Sequence, residues 1–205
     1  MNSTLNTAQQ ELWNQINAFD IDNGPAAFPF AARLARDNGW HPVFAARVIA
    51  EYKKFVFLAM SAGHPVTPSE HVDQAWHLHL TYTRSYWERL CRDVLPRPLH
   101  HDPTRGGAAE STKFHDWYRR TLESYARIFG ALPPADVWPK PGVRFAGNTD
   151  CQRVNTHHNW IIPKTRARRP ARLAFMLGPP LLFLAGCGPT PVSYTHLTLP
   201  TICSV

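Results

Sequence analysis

The amino-acid sequence predicts an all-α fold: a single bundle of about five helices, followed by a proline-rich strap, a linker and a short apolar C-terminal segment. Three observations predict it. Between residues 5 and 130 apolar positions recur at helical spacing, and no run alternates with the period of a strand. Each periodic segment closes on Gly or Pro. A chain of 205 residues is long enough for one domain with a real core plus an appendage, and short for two ordinary domains.

Each element follows from local chemistry. Thr7 is placed to cap a helix running to about Phe19, and FDIDNGPAAFP forms a Gly/Pro loop before a helix from Phe30 to Asp37. Asn38 and Gly39 stop that helix, and Pro42 suits the first turn of the next. VFAARVIAEYKKFVFLAMSA is apolar almost all round, with Arg47 and Glu51 one turn apart, which marks the central helix of a bundle ending at Gly63. Thr67, Pro68 and Glu70 form a capping-box pattern, and the helix they open is predicted to run until LPRP at residues 95–98 breaks it. A last helix, about Glu110 to Phe129, carries Phe114, Trp117, Tyr118, Leu122, Tyr125, Ile128 and Phe129 at helical spacing. After Gly130 comes the strap ALPPADVWPKPGVRF, whose Trp138 is expected to pack back on the helices. The organisation is therefore a helical DxxWHxH domain (1–145), a linker with a basic run (146–172), a truncated apolar segment (173–191) and a tail (192–205).

The formal net charge of +7 does not point to nucleic acid, because five positive charges sit in one run, KTRARRPAR: Lys164, Arg166, Arg168, Arg169 and Arg172. A nucleic-acid binder needs its basic residues spread over a folded face. Four cysteines without a CxxC spacing indicate neither a disulfide framework nor a cysteine zinc site, and fit a reducing compartment. The polar opening MNSTLNTAQQELWNQ carries no secretory signal.

Beyond the basic run, LAFMLGPPLLFLAGC falls short of the roughly 20 apolar residues that span a bilayer, and Pro179 and Pro180 weaken a helix there. Read as a cut-short membrane helix, it would hold the helical domain at the cytoplasmic membrane, on the cytoplasmic side, by its basic flank. LAGC, Leu184 to Cys187, also has the form of a lipobox with Cys187 as the lipidated residue, and a buried or artefactual segment is the third reading. The closing VSYTHLTLPT resembles the translation of a transposase-type sequencing adapter, so residues 192–205 are expected to have evolved no packing partners.

DQAWHLHL, residues 73–80, raises the question of metal ligation. At about 100° per residue, His77 and His79 lie roughly 160° apart around a helix and do not readily share one ion, whereas Asp73 and His77 sit one turn apart on one flank. Trp76 falls at the centre of a stripe with Val72, Thr83, Trp87 and Leu90, and His79 lies beside Val72 and Tyr86. Two readings follow. In one, His79 is a hydrogen-bonded core histidine, and Asp73 accepts from His77 and fixes its tautomer. In the other, Asp73 and His77 are joined by His100, His101 or Asp102 of LHHDP around a divalent metal, zinc or iron. Seven of the eleven histidines fall between residues 64 and 115, which favours keeping the second reading open. No GxSxG, P-loop, HExxH or GxGxxG accompanies them.

The stretches FDID, DNGW, EYKKF, PVTPSEHVDQAWHLHLTYTRSYW, LPRPLHHDPTRGG, KFHDWYRRTLESY and PPADVWP together resemble the glycine-rich domain-containing-protein-like family, in particular bacterial members in which this domain precedes membrane segments. The likeness covers about residues 10–145, with NWIIPK in the linker; a glycine-rich tail is not part of it, as only 11 residues are Gly. The resemblance implies an α-helical domain and brings no established activity. The functional expectation is a non-enzymatic cytoplasmic interaction or sensing module attached to a membrane, with a protein partner. The alternative is a metal-dependent enzyme with its Asp/His site on the DxxWHxH helix.

Overall fold

The computed structural model describes residues 5–103, 108–146 and the pair 203–204. The chain divides into two units, residues 1–148 with 200–205, and residues 149–199. All of the second unit lies outside the described residues, and with it the basic run, the apolar segment with Cys187, and most of the linker and tail.

The described part is all-α, as expected. Its helices are α1 (Thr7–Ala18), α2 (Phe30–Asn38), α3 (Pro42–Ser61), α4 (Glu70–Thr81), a π-helix (Arg84–Cys91), α5 (Ala108–Phe129) and the single turn α6 (Pro141–Arg144). α3 is the central element and touches α1, α2, α4 and α5. Its apolar circumference explains this: Val48, Phe55, Phe57 and Leu58 are wholly buried on different sides, each contributing about 1.5–3 kcal/mol. Gly39 takes the left-handed conformation (φ 65°) that ends α2, and Pro42 opens α3. Among the described residues no helix is long and apolar enough to cross a membrane.

Four local expectations are corrected. Asn6, not Thr7, caps α1, in a reciprocal capping box with Gln9. Ser69, not Thr67, caps α4: the amide of Thr67 is engaged by Thr121 Oγ1 on α5 (2.9 Å), which holds the chain extended past Pro68 before the helix can start. Arg47 and Glu51 do not pair. Arg47 meets Asp136, while Glu51 turns inward to accept from Lys54 Nζ (2.8 Å) on its own helix, and from Tyr125 OH (3.2 Å) and Trp138 Nε1 (2.9 Å), which α5 and the strap bring to it. Trp138 is thereby buried against the helices.

The fourth correction bears on the site. The DxxWHxH helix does not run unbroken to LPRP. It stops at Tyr82 (φ −89°, ψ 61°) and the chain resumes as a π-helix, with Arg92 N–H bonded to Trp87 O (3.2 Å). The break and the wider turn rotate the inward face. Tyr86 becomes fully buried, and Trp87, placed by a straight helix in the core stripe, is 39% exposed. Ser85 Oγ donating to Ile21 O (2.8 Å) and the Tyr86 hydroxyl donating to Leu99 O hold the new register.

After the π-helix the chain crosses back over α4 as a second strap, residues 95–101. Leu95 and Leu99 are buried in the core, and Arg97 Nη2 donates to Ala59 O (2.7 Å). It ends in β1 (Asp102–Pro103), which pairs antiparallel with β2 (Cys203–Ser204), Asp102 opposite Ser204 and Pro103 opposite Cys203. This is the only strand pairing among the described residues. It gives Cys203 and Ser204 backbone partners that the tail was expected to lack; the rest of that expectation falls on residues outside the described ones.

Candidate metal centre

α4 supplies Asp73 and His77. Ser69 Oγ accepts from Val72 N–H (3.2 Å), so Asp73 sits in the first turn, and one turn later His77 stands on the same flank. His101 arrives from the strap. Its Nε2 lies 3.2 Å from Asp73 Oδ1, and His77 Nε2 lies 3.9 Å from Asp73 Oδ2. One ligand atom from each of the three residues falls within 4.8 Å of the other two. Asp73 and His101 are almost fully enclosed, while the His77 side chain is 34% exposed and forms the solvent edge. The Trp76 indole underlies the group, 4.3 Å from the His101 ring in an edge-to-face contact, and the His77 and His101 rings are 4.3 Å apart.

The expected partner of Asp73 changes as a result. At 3.9 Å His77 stands beside Asp73 but outside hydrogen-bond range, and His101 is the imidazole within it. His100 does not join the group. It is exposed and packs on Trp87 with ring centroids 5.4 Å apart, because neighbouring residues of an extended strap face opposite ways. Asp102 is also exposed and is not part of the three-residue group.

His79 is on the other side of α4, fully buried among Phe19, Phe30, Tyr52 and Tyr86. Its Nδ1 is 2.9 Å from Tyr52 OH and its Nε2 3.1 Å from Ser85 Oγ. Since the Ser85 hydroxyl donates to Ile21 O, it accepts from His79; Nε2 therefore carries the proton and Nδ1 accepts from Tyr52. Burial, with a smaller push from the Arg89 charge, lowers the imidazole to about 3, so the ring is neutral at physiological pH. His79 is a satisfied core histidine, as the first reading of the motif had it.

The donor set fits a divalent ion. Metal–ligand bonds of about 2.0–2.2 Å put neighbouring donor atoms roughly 3.0–3.5 Å apart. The Asp73–His101 spacing is already there, and the group, now within 4.8 Å, would close on an ion mainly by movement of the partly exposed His77. Sequence reasoning named Asp73, His77 and His101 but could not separate His101 from His100. It missed Tyr52 and Ser85, the partners of His79, and Leu99, the anchor of the strap. A buried-tyrosine signal at residue 86 was available, yet its target, a backbone carbonyl, leaves no trace in sequence.

Comparison with known proteins gives two findings. A family model described as UCP032817-like matches residues 37–123, a span that holds α3, α4, the π-helix and the strap. The chain is 25% identical over 126 residues to glycine-rich domain-containing protein 2 of Arabidopsis thaliana, covering 59% of this chain and 15% of that protein's length. Both support similarity to a glycine-rich-domain-like family. No solved structure matches.

Proposed function

We propose that the helical domain binds a divalent cation, zinc or ferrous iron, through Asp73, His77 and His101. The observation that carries this reading is the convergence of one carboxylate oxygen and two imidazole nitrogens within 4.8 Å, from a rigid helix and a strap anchored in the core. Two imidazoles and a carboxylate are the donor set of open catalytic zinc sites and of non-haem ferrous sites, and three protein ligands leave positions for water or a substrate. The solvent edge at His77 is where such a position would open. The site thus supports a metal-dependent enzyme or a cation sensor more than a purely structural bundle.

Elemental analysis of the purified full chain tests it. About one equivalent of zinc or iron is expected to survive purification, to be lost during it from His77→Ala and His101→Ala, whose two remaining ligands hold an ion only weakly, and to be kept in His100→Ala. A wild-type chain that takes up neither ion when offered in excess would overturn the reading and leave Asp73–His101 as a structural hydrogen bond.

A second reading rests on a different observation, the run Lys164–Arg172 directly before the apolar residues 173–191. It supports attachment of the domain to the cytoplasmic face of a membrane, as in the bacterial proteins that the sequence resembles. Fractionation of cells expressing the protein from its own locus is expected to place it with membranes; recovery only in the soluble fraction would end this reading.

A further inference from the structure

The π-helix makes two contacts with the strap that carries His101 and one with α4. The buried Tyr86 hydroxyl accepts from Trp76 Nε1 (2.8 Å) and donates to Leu99 O, two residues before His101. Leu99 itself is fully buried. Next along the chain, His100 packs on Trp87. His101 then lies over Trp76, the residue that hands its indole N–H to Tyr86. The contacts form a closed circuit: α4 to the π-helix by Trp76–Tyr86, the π-helix to the strap by Tyr86–Leu99, and the strap back to α4 by His101–Asp73. Two ligands, Asp73 and His77, belong to α4, and the third stands on the strap that Tyr86 anchors at Leu99. π-turns are costly in backbone geometry and recur where a protein must aim a side chain. Here the π register turns Tyr86 inward and leaves Trp87 on the flank, so that consecutive residues grip consecutive residues of the strap.

From this circuit we infer that Tyr86 is a positioning residue of the metal centre, acting through the Leu99 carbonyl on His101, with Trp87 as its weaker companion through His100. The inference rests on the cation reading of Asp73, His77 and His101. Tyr86 does not touch the ion. Its hydroxyl sets where His101 Nε2 stands, and outer hydrogen bonds of this kind govern affinity by roughly 10- to 100-fold. Burial raises the Tyr86 pKa, so the phenol stays a donor throughout the pH range in which histidines can ligate.

The test is a cobalt(II) titration of the full chain followed by its visible absorption, which reports the number and geometry of ligands as well as affinity. Wild type, Tyr86→Phe, His101→Ala and the double variant are compared, each checked for helical circular dichroism. Tyr86→Phe is expected to weaken cobalt binding by roughly 10- to 100-fold and to shift the spectrum towards that of His101→Ala. In the His101→Ala background the same substitution should cost nothing further, because its route to the ion is already cut. Equal affinity in wild type and Tyr86→Phe, or a loss that repeats undiminished without His101, would overturn the inference while leaving the cation site standing. A wild-type chain with no cobalt signal would instead overturn the cation reading and the inference with it. If Tyr86→Phe does not fold, Trp87→Ala, at an exposed position, carries the same cycle. A loss of roughly two- to tenfold that vanishes in His101→Ala supports the inference, and an unchanged affinity overturns it.

Discussion

Two histidine neighbourhoods lie on opposite faces of one helix, and their surroundings differ in kind. Around His79 every polar atom has its complement: Tyr52 donates to one ring nitrogen, Ser85 accepts from the other, and Ser85 passes its own proton to a backbone carbonyl. Aromatic rings close the rest, and burial keeps the ring neutral. Around Asp73, two imidazoles converge on one carboxylate, one enclosed and one at the water's edge. The ring nitrogens of His79 are taken by fixed protein partners, whereas His77 and His101 bring theirs towards one carboxylate. The same residue type, two positions apart, is architecture on one face and candidate chemistry on the other.

The comparison breaks most decisively at His79. His79→Ala would open a cavity in the core and strand the hydroxyls of Tyr52 and Ser85, and is expected to cost about 3 kcal/mol or more, read from urea unfolding. A loss below 1 kcal/mol would mean that the histidine core is not a keystone of the fold.

Next in size is the response of the other face to its ion. At free zinc a hundredfold above the dissociation constant, the chain should gain about 2.7 kcal/mol of stability, seen as a rise in Tm that disappears in His101→Ala. An equal rise in both proteins would place the binding elsewhere.

Acid distinguishes the faces in a graded way. The folded-state pKa of His79, about 3, lies below the ordinary value of 6.5, so the unfolded chain binds the proton first. The stability from keeping this ring neutral is complete above pH 6.5 and drains as pH falls towards 3, at about 1.4 kcal/mol per pH unit. Unfolding free energies at pH 6.5, 5.5 and 4.5 should show that slope in wild type, and a His79→Phe chain should lack it. A slope that survives the substitution would assign acid lability to other groups.

The smallest effect sharpens the contrast. His77→Ala in metal-free protein should change stability by no more than about 0.5 kcal/mol, since its side chain is one-third exposed at the solvent edge, where an ion pair contributes little. Metal uptake should nonetheless be lost. A large metal-free destabilisation would make His77 part of the architecture after all.

Local chemistry made much of this legible. Gly39, Pro42 and the apolar circumference of α3 delimit helices by their own backbone and side-chain preferences, and such signals act over a few residues. The opposition of His77 and His79 was equally readable, because helical periodicity separates them whatever the rest of the chain does. Less was legible at the capping sites. Thr67 has the right pattern for a cap, yet a partner 54 residues away claims its amide and moves the helix start to Glu70.

From sequence alone, then, come the helical class, the central helix, the Asp73–His77 flank and the separate fate of His79, all consequences of spacing along the chain. The choice of His101 over His100, the break at Tyr82, the π register of Arg84–Cys91 and the inward turn of Glu51 belong to tertiary structure. Each depends on a donor or acceptor delivered from another element: Leu99 O to Tyr86, Ile21 O to Ser85, Trp138 and Tyr125 to Glu51. A buried polar group must find its partner wherever the fold brings one, and in this chain those partners lie between 13 and 87 residues away, beyond the reach of any local pattern.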